Sequence, residues 1–474
     1  MSQTTSESLK NYQHVYFLGI GGIGMSALAR WFKHQNFWVG GYDKTPSPLT
    51  DQMTGEGMEI HFEDSLDLIP EFIKNEKDKT LVVLTPAIPQ AHAEWRYFRD
   101  AGYYILKRSQ VLGLITQTGF TVAVAGTHGK TTTSSMIAFL LKEAGVGCTA
   151  FLGGVSSNFG TNFLLSEKPQ EETIMVVEAD EFDRSFLTLH PNVAVVTSTD
   201  SDHLDIYGDG ETMLQAYSDF IMQVKREGKL FLQNNITLKI ETRTGVEVKR
   251  YGLEAGQIFA QNVKPKGFGF EFELKEGLGN YGKFFLPLPG FHNVENATAA
   301  LAVAHNLGVS YDVLRKILPT FKGVKRRFDK VFENDNITLI DDYAHHPTEI
   351  EAAIKSLRAL YPDKKLGVVF QPHLFSRTQD FALDFSHTLS EVDRLWLLDI
   401  YPARETPISG ITSKIILDRV DISEKQIISK DDLIPSMLSS GCEVIAMLGA
   451  GDIDRLVAPA AQAFASKFNP QLLQ

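Results

Sequence analysis

The sequence predicts an α/β protein built of three successive blocks. Its 474 residues are enough for about three domains of ordinary size. Apolar runs of strand length alternate with helical stretches, the pattern of parallel βαβ units. That alternation restarts near Thr118–Phe120 and again at Ile337. The composition agrees, with 43% hydrophobic and 22% charged residues, ordinary for a globular chain and unlike a disordered one. A net charge of −12 argues against sequence-independent nucleic-acid binding, which needs a basic surface. Small anions remain suitable ligands, because helix N-termini bind phosphate on acidic proteins too. Two cysteines, Cys148 and Cys442, are too few for a disulfide framework or a zinc cluster and suit a reducing cytoplasm. No apolar run approaches the ~18 residues of a membrane span. Met1–Lys10 is polar and lacks a signal-peptide core. A cytoplasmic protein with neither membrane nor nucleic-acid partners is expected.

In chain order, residues 14–18 form a buried strand that runs into Gly19-Ile20-Gly21-Gly22-Ile23-Gly24 and a helix from Met25 to His34. A strand near Phe37–Tyr42 ends at Asp43, and Leu81–Leu84 is stopped by Thr85-Pro86. The second block opens with a strand at Thr121–Ala125, a glycine-rich turn and a helix from Thr131 to Ala144. Strands at Thr173–Val177 and Asn192–Thr197 lead to Glu178 and towards His203. Residues 228–290 are rich in β-formers and glycine, and a helix spans about Val294–Leu307. The basic segment Lys322–Arg327 reads as a domain joint. The third block has strands from Ile337 and at Gly367–Phe370, Arg394–Leu398 and Glu443–Leu448.

Gly19, Gly21 and Gly24 fit G-x-G-x-x-G. The glycines permit a tight turn, close approach of the backbone to a diphosphate, and close helix packing. Asp43, at the end of the next strand, suits a ribose hydroxyl. The pattern requires a nucleotide diphosphate, of which NAD is only one. Gly126-Thr127-His128-Gly129-Lys130-Thr131-Thr132-Thr133 is more specific. It lies between strand and helix, where backbone N–H groups cradle phosphates, a lysine bridges the β- and γ-phosphates, and a threonine hydroxyl holds Mg²⁺. It is shorter than the full P-loop pattern, since its first glycine would fall at Val124. Glu178 and His203 follow strands whose ends face the ligand rim of an α/β sheet. Both are candidate magnesium ligands, although that ion prefers oxygen to imidazole.

These segments resemble the Mur ligase family, the amino-acid-adding enzymes of peptidoglycan synthesis. The resemblance is carried by Gly19–Ala27 (GIGGIGMSA), Gly126–Thr133 (GTHGKTTT), Glu178–Asp183 (EADEFD), Asp202–Asp205 (DHLD) and Gly290–Asn296 (GFHNVEN). It continues through Arg326-Arg327-Phe328, Asp341–Glu349 (DDYAHHPTE), Phe370–Thr378 (FQPHLFSRT), Ile400–Pro407 (IYPARETP) and Gly449–Ile453 (GAGDI). It implies a Rossmann-like UDP-binding domain at 1–118, a P-loop ATPase-like central domain at 119–325, and a C-terminal Rossmann-like α/β domain at 326–474.

The implied activity is ATP-dependent joining of L-alanine to UDP-N-acetylmuramate through an acyl phosphate. A recycling ligase adding a tripeptide to the same sugar is the alternative. The implied cofactors are ATP and Mg²⁺, and the implied assembly is a monomer or homodimer. The UDP sugar would lie on Gly19, Gly21, Gly22, Ile23, Gly24 and Asp43. ATP would contact Gly126, Thr127, His128, Gly129, Lys130, Thr131 and Thr132. His292, Asn293 and Asn296 would line the adenine pocket, with Arg327 at the γ-phosphate and Asp342 at the ribose. Thr131, Glu178 and His203 would hold magnesium. His345, His346 and Arg377 would place L-alanine, with Lys130, His203, Arg327, His346 and Arg377 in catalytic roles. Two features depart from relatives. Leu374 stands where many carry a second basic residue, and residues 204–224 contain no lysine, whereas some Mur ligases use a carbamylated lysine there.

Overall fold

The computed structural model describes Leu9 and residues 11–169, 172–200, 204–403 and 405–468. It is a mixed α/β architecture with three sheets, as the sequence predicts. The first contains β1 (His14–Leu18), β2 (Trp38–Tyr42), β3 (Glu59–His61), β4 (Thr80–Leu84) and β5 (Tyr104–Lys107). Its order is β3-β2-β1-β4-β5, and every pairing is parallel. The chain leaves β1 first to one side and later to the other, so the end of β1 is a topological switch point. Successive β1 residues serve opposite faces, as strand geometry requires. Val15 and Phe17 join the core under helix Ile23–His34, and Tyr16 and Leu18 pack with Tyr42 and Phe98 on the other side.

The second sheet contains β6 (Phe120–Ala125), β7 (Gly147–Ser156), β8 (Thr161–Leu164), β9 (Thr173–Glu178), β10 (Val193–Val196), β11 (Lys229–Gln233) and β12 (Glu247–Leu253). The β-rich stretch resolves further into β13 (Ile258–Lys266), β14 (Gly269–Glu276) and β15 (Gly279–Leu286). The order is β15-β14-β13-β12-β11-β10-β6-β9-β7-β8. β6 lies between β9 and β10, parallel to both, so the phosphate-loop sequence also starts at a switch point.

The third sheet contains β16 (Asp329–Glu333), β17 (Thr338–Asp342), β18 (Leu366–Phe370), β19 (Arg394–Leu397), β20 (Lys425–Ile427) and β21 (Val444–Leu448), ordered β16-β17-β21-β18-β19-β20. Only β16 runs antiparallel to its neighbour. The block opens one strand before the Ile337 that the sequence pattern indicates. β16 is a half-buried edge strand, Asp-Lys-Val-Phe-Glu, whose charged ends mask it.

The chain divides into two compact units. One holds residues through Gln261 with 274–282 and 295–321. The other holds 262–273, 283–294 and the chain from Lys322. Among the described residues no helix is long and apolar enough to cross a membrane.

Candidate active site

In the first unit, the turn after β1 is pulled tight by its own backbone. Gly19 has φ +89°, a conformation that favours glycine. The Gly19 and Ile20 N–H groups donate to Tyr42 O at 2.8 and 3.0 Å. Gly21 N–H donates to Asp43 Oδ2 at 2.7 Å, and Thr45 N–H donates to Oδ1 at 3.2 Å. Asp43 therefore braces the turn itself. A Cβ on Gly21 would lie 2.8 Å from Thr50 Cγ2 and 2.9 Å from Asp43 Oδ2, and one on Gly24 would lie 2.5 Å from Arg108 Nη1. A Cβ on Gly22 would meet nothing nearer than Gly19 O at 3.6 Å. Gly22 precedes helix Ile23–His34, whose N-terminus has no side-chain cap. Its first N–H groups are thus offered to an anion.

The second glycine turn is held from β10. Thr127 N–H donates to Ser198 O at 3.3 Å, and His128 N–H donates to Ser198 Oγ at 2.8 Å. Gly129, at φ +83°, has Asn296 Oδ1 only 2.5 Å from where its Cβ would stand. Helix Lys130–Glu143 then starts, with Thr131 buried in its first turn. Lys130 Nζ donates to Gly126 O at 2.6 Å and to Thr127 O at 3.3 Å, and meets both Glu181 carboxylate oxygens at 2.7 Å. Burial opposes the charge on Lys130. Glu181, Asp180 and Glu178 outweigh that penalty and hold its pKa above the ordinary lysine value. Burial also pushes the Glu181 carboxyl up to about 7, against the pull of Lys130.

Glu178 ends β9 beside this loop. Its Oε1 lies 2.2 Å from where a Cβ on Gly153 would be, so only glycine leaves it room. Its Oε2 is buried without a hydrogen-bond partner among the described residues. An orphaned buried carboxylate oxygen beside a threonine-bearing phosphate loop fits a hard cation such as Mg²⁺. The third sequence-predicted metal ligand, His203, lies outside the described residues. A cleft of about 70 Å³ runs from the first turn to the end of β9, lined in part by Gly24, Arg108, Gly153, Glu178 and Asp180. Arg108 Nη2 donates to Asp180 Oδ2 across it at 3.0 Å. Glu181, Asp180 and Arg108 were not singled out from the sequence. The available signal was three acids within four residues at a strand end, where only Glu178 had been assigned.

The second unit carries the remaining candidates. Asn293 Nδ2 donates to Pro289 O at 2.6 Å, and the His292 ring crowds Gly290. Asp342 is 8% exposed, and its two oxygens accept from Phe328 N–H and Ala344 N–H at 2.7 Å each. Burial lifts its pKa to about 6, against the pull of Arg327. Arg327 lies over the Tyr343 ring, 4.9 Å from its centroid, and 3.9 Å from Glu349. His345 Nδ1 sits 3.0 Å from Tyr343 O and 3.2 Å from Glu349 Oε2. His346 is the N-cap of helix Pro347–Leu360, its Nδ1 accepting from Thr348 N–H at 3.4 Å. Arg377 is buried in helix Phe375–Asp380. Its carbonyl accepts from Phe381 N–H at 3.0 Å, and the Phe381 ring meets that of His346 at 4.8 Å.

Residues 14–119 match the model described as Mur ligase family, catalytic domain; 124–304 match the Mur ligase middle domain; and 326–453 match the Mur ligase, glutamate ligase domain. The UDP-N-acetylmuramate–L-alanine ligase of Flavobacterium psychrophilum is 48% identical over 452 residues, 95% of this chain and 98% of that protein. Its counterpart from Cytophaga hutchinsonii is 44% identical over 452 residues, 95% of this chain and 97% of that protein. The crystal structure of the UDP-N-acetylmuramate-alanine ligase of Thermotoga maritima superposes with a TM-score of 0.80 at 26% identity, covering 96% of this chain and 99% of that one. With every block matched and such identity over nearly its whole length, the chain belongs to the Mur ligase family.

Proposed function

We propose that this chain joins L-alanine to the lactyl carboxylate of UDP-N-acetylmuramate, with ATP converted to ADP and phosphate. The observation that carries this reading is the cleft that sets Gly24 of the first glycine turn against Glu178, the carboxylate that ends β9 beside the phosphate loop. The near-full-length identity to L-alanine ligases points the same way. We place the domain boundaries at 118/119 and 325/326.

A carboxylate is a poor electrophile, because it is anionic and would have to expel oxide. The lactyl carboxylate therefore attacks the γ-phosphorus of ATP, forming an acyl phosphate whose leaving group is phosphate. Negative charge spreads over the transferring oxygens. Lys130 and the N-terminus of helix Lys130–Glu143 face that charge from the phosphate loop, and Arg327 is assigned to the γ-phosphate. Thr131 and Glu178 would hold Mg²⁺, with His203 as a further ligand; the ion supplies charge neutralisation when bound. His292, Asn293 and Asn296 are assigned to adenine and Asp342 to the ribose.

The buried Arg377 suits the α-carboxylate of L-alanine, since its planar fork binds carboxylates bidentately. The amine must be neutral to attack the acyl carbon, so a base is needed. His346 is poorly placed for this. Protonation would turn its Nδ1 into a donor facing Thr348 N–H and break the helix cap. His345 has two acceptors at Nδ1, which keep the proton there and leave Nε2 as the basic nitrogen. We assign the base to His345 and the support of that helix to His346.

The test is ADP release with UDP-N-acetylmuramate, ATP, Mg²⁺ and single amines. L-Alanine is expected to be fastest. Glycine is expected to be slower but real, since one missing methyl is worth only ~1–3 kcal/mol in a hydrophobic pocket. Release with a tripeptide but none with L-alanine would replace this reading by the recycling one.

A further inference from the structure

A lysine that is to stabilise a transferring phosphoryl group must stand in one place before the reaction starts. Its four-carbon stem does not provide that, because it has many rotamers. At Lys130 the fixing comes from Glu181, a residue the reaction as derived above does not use. Both Glu181 carboxylate oxygens lie 2.7 Å from Nζ, and the residue is 1% exposed.

Glu181 is itself held from several sides. Tyr207 Oη donates to its carbonyl at 2.6 Å. Next to it, Asp180 accepts from Arg108 Nη2 at 3.0 Å and from Phe182 N–H at 3.1 Å. Arg184 N–H donates to Glu181 O at 2.9 Å. Asp183 and Arg184 follow at φ 52° and 54°, a left-handed pair of non-glycine residues that persists only where the surroundings over-determine the backbone.

We propose that Glu181 is a positioning residue for phosphoryl transfer: it fixes the Lys130 ammonium at the phosphate loop and acts on the reaction only through that lysine. The proposal rests on reading this loop as the ATP site. The other two acceptors of Nζ, Gly126 O and Thr127 O, are neutral carbonyls. Phosphate oxygens replace these, because charge-assisted bonds are the stronger. The contact with Glu181 stays, since breaking it would leave a buried carboxylate unpaired beside a triphosphate.

The experiment measures ADP release for wild type, Glu181→Gln, Glu181→Asp, Lys130→Ala and the double variant Glu181→Gln/Lys130→Ala, each shown to be folded by circular dichroism. Glu181→Gln is expected to lower kcat about tenfold or more, with the KM values for UDP-N-acetylmuramate and L-alanine within about twofold of wild type. Glu181→Asp, which keeps the charge, should fall between the two. In the Lys130→Ala background the Glu181→Gln change should alter kcat by less than about twofold, because its only route of action is gone. Wild-type kcat in Glu181→Gln, or a further tenfold loss in the double variant, would overturn the proposal. If Glu181→Gln does not fold, the same cycle run with Glu181→Asp decides by the same two outcomes. Wild-type kcat in Lys130→Ala would instead overturn the assignment of the loop to ATP.

Discussion

Asp43 and Gly21 show how one residue can satisfy both a motif and the fold. The motif asks for glycine at 21 so that a diphosphate can approach. The structure already needs glycine there, because a Cβ would press on Asp43 and Thr50. A bulky residue at 21 would therefore damage the turn whatever binds to it. Gly22 separates the two demands, since a Cβ there would make only ordinary contacts, at 3.6 Å and beyond, and its φ −63°, ψ 143° is a conformation alanine adopts freely. Gly22→Ala is expected to leave the melting temperature unchanged. It should raise the KM for UDP-N-acetylmuramate about tenfold and leave that for ATP within about twofold. Unchanged KM values for both would place the diphosphate elsewhere. Residue types at the candidate site were legible in the sequence, because glycine, lysine and carboxylates at strand ends have few other uses. Partners were not. Nothing in Asp341–Glu349 reveals that Asp342 accepts from the backbone N–H of Phe328. That pairing joins residues 14 apart in sequence, and a single chain does not display it.

Helix Ala93–Asp100, β1 and β3 meet at a buried polar cluster that no motif announced. Glu94 stands in the first turn of its helix, where an acid is usually a solvated partner of the dipole. Here it is fully buried, accepting from Tyr16 Oη at 2.8 Å, and Tyr16 Oη also lies 2.7 Å from His61 Nε2. Burial lifts the Glu94 pKa from 4.5 to about 7. The folded chain thus binds a proton that the unfolded chain has already lost. This contribution to stability is complete below pH 4.5 and disappears as pH rises through 7. His61 and His92 are held below the ordinary 6.5 by burial, so both are neutral above that pH and leave the window to Glu94. Between pH 6.5 and pH 9 the wild type should lose about 1 kcal/mol relative to Glu94→Gln, the last part of a loss that starts at pH 4.5 and runs at ~1.4 kcal/mol per pKa unit. Denaturant unfolding at a series of pH values measures this, and parallel curves for the two proteins would refute it. At this scale the reading succeeded where an apolar run ended in glycine or an acid, as in β1, β6 and β9. It failed at β3, β16 and β20, which are short edge strands exposed enough to be polar, and at the largely buried β7, whose apolar run Gly153 and Gly154 interrupt.

At the scale of the whole molecule, the basic joint Lys322–Arg327 and the compact units give different instructions for cutting the chain. The joint suggests a separable piece from 326 onward. The unit that contains this piece also takes in 262–273 and 283–294, and those short segments fill part of its core. Phe268 packs against the cluster formed by Phe328, Ile340 and Phe370. Its ring centroid lies 6.4 Å from that of Phe328, and Lys330 Nζ sits 4.3 Å from it. Phe270 and Phe291 form a further edge-to-face pair within the unit, at 5.0 Å. A fragment of residues 326–474 would keep β16 to β21 but lose this cover over Phe328. Its edge strand β16 would then be held by β17 and by helix Asp454–Phe468, which packs against it. Such a fragment is expected to melt well below the intact chain and to exchange the amide hydrogens of β16 and β17 rapidly. Truncating Phe268 to alanine in the full-length protein should have a smaller effect in the same place. A half-buried aromatic ring is worth about 2 kcal/mol, roughly half of what a fully buried one costs to remove, and the loss should appear as faster exchange in β16 and β17. Exchange in β16 and β17 of the isolated fragment as slow as in the full chain would show that the joint alone marks the folding boundary, and that 262–273 only rests on a core already complete.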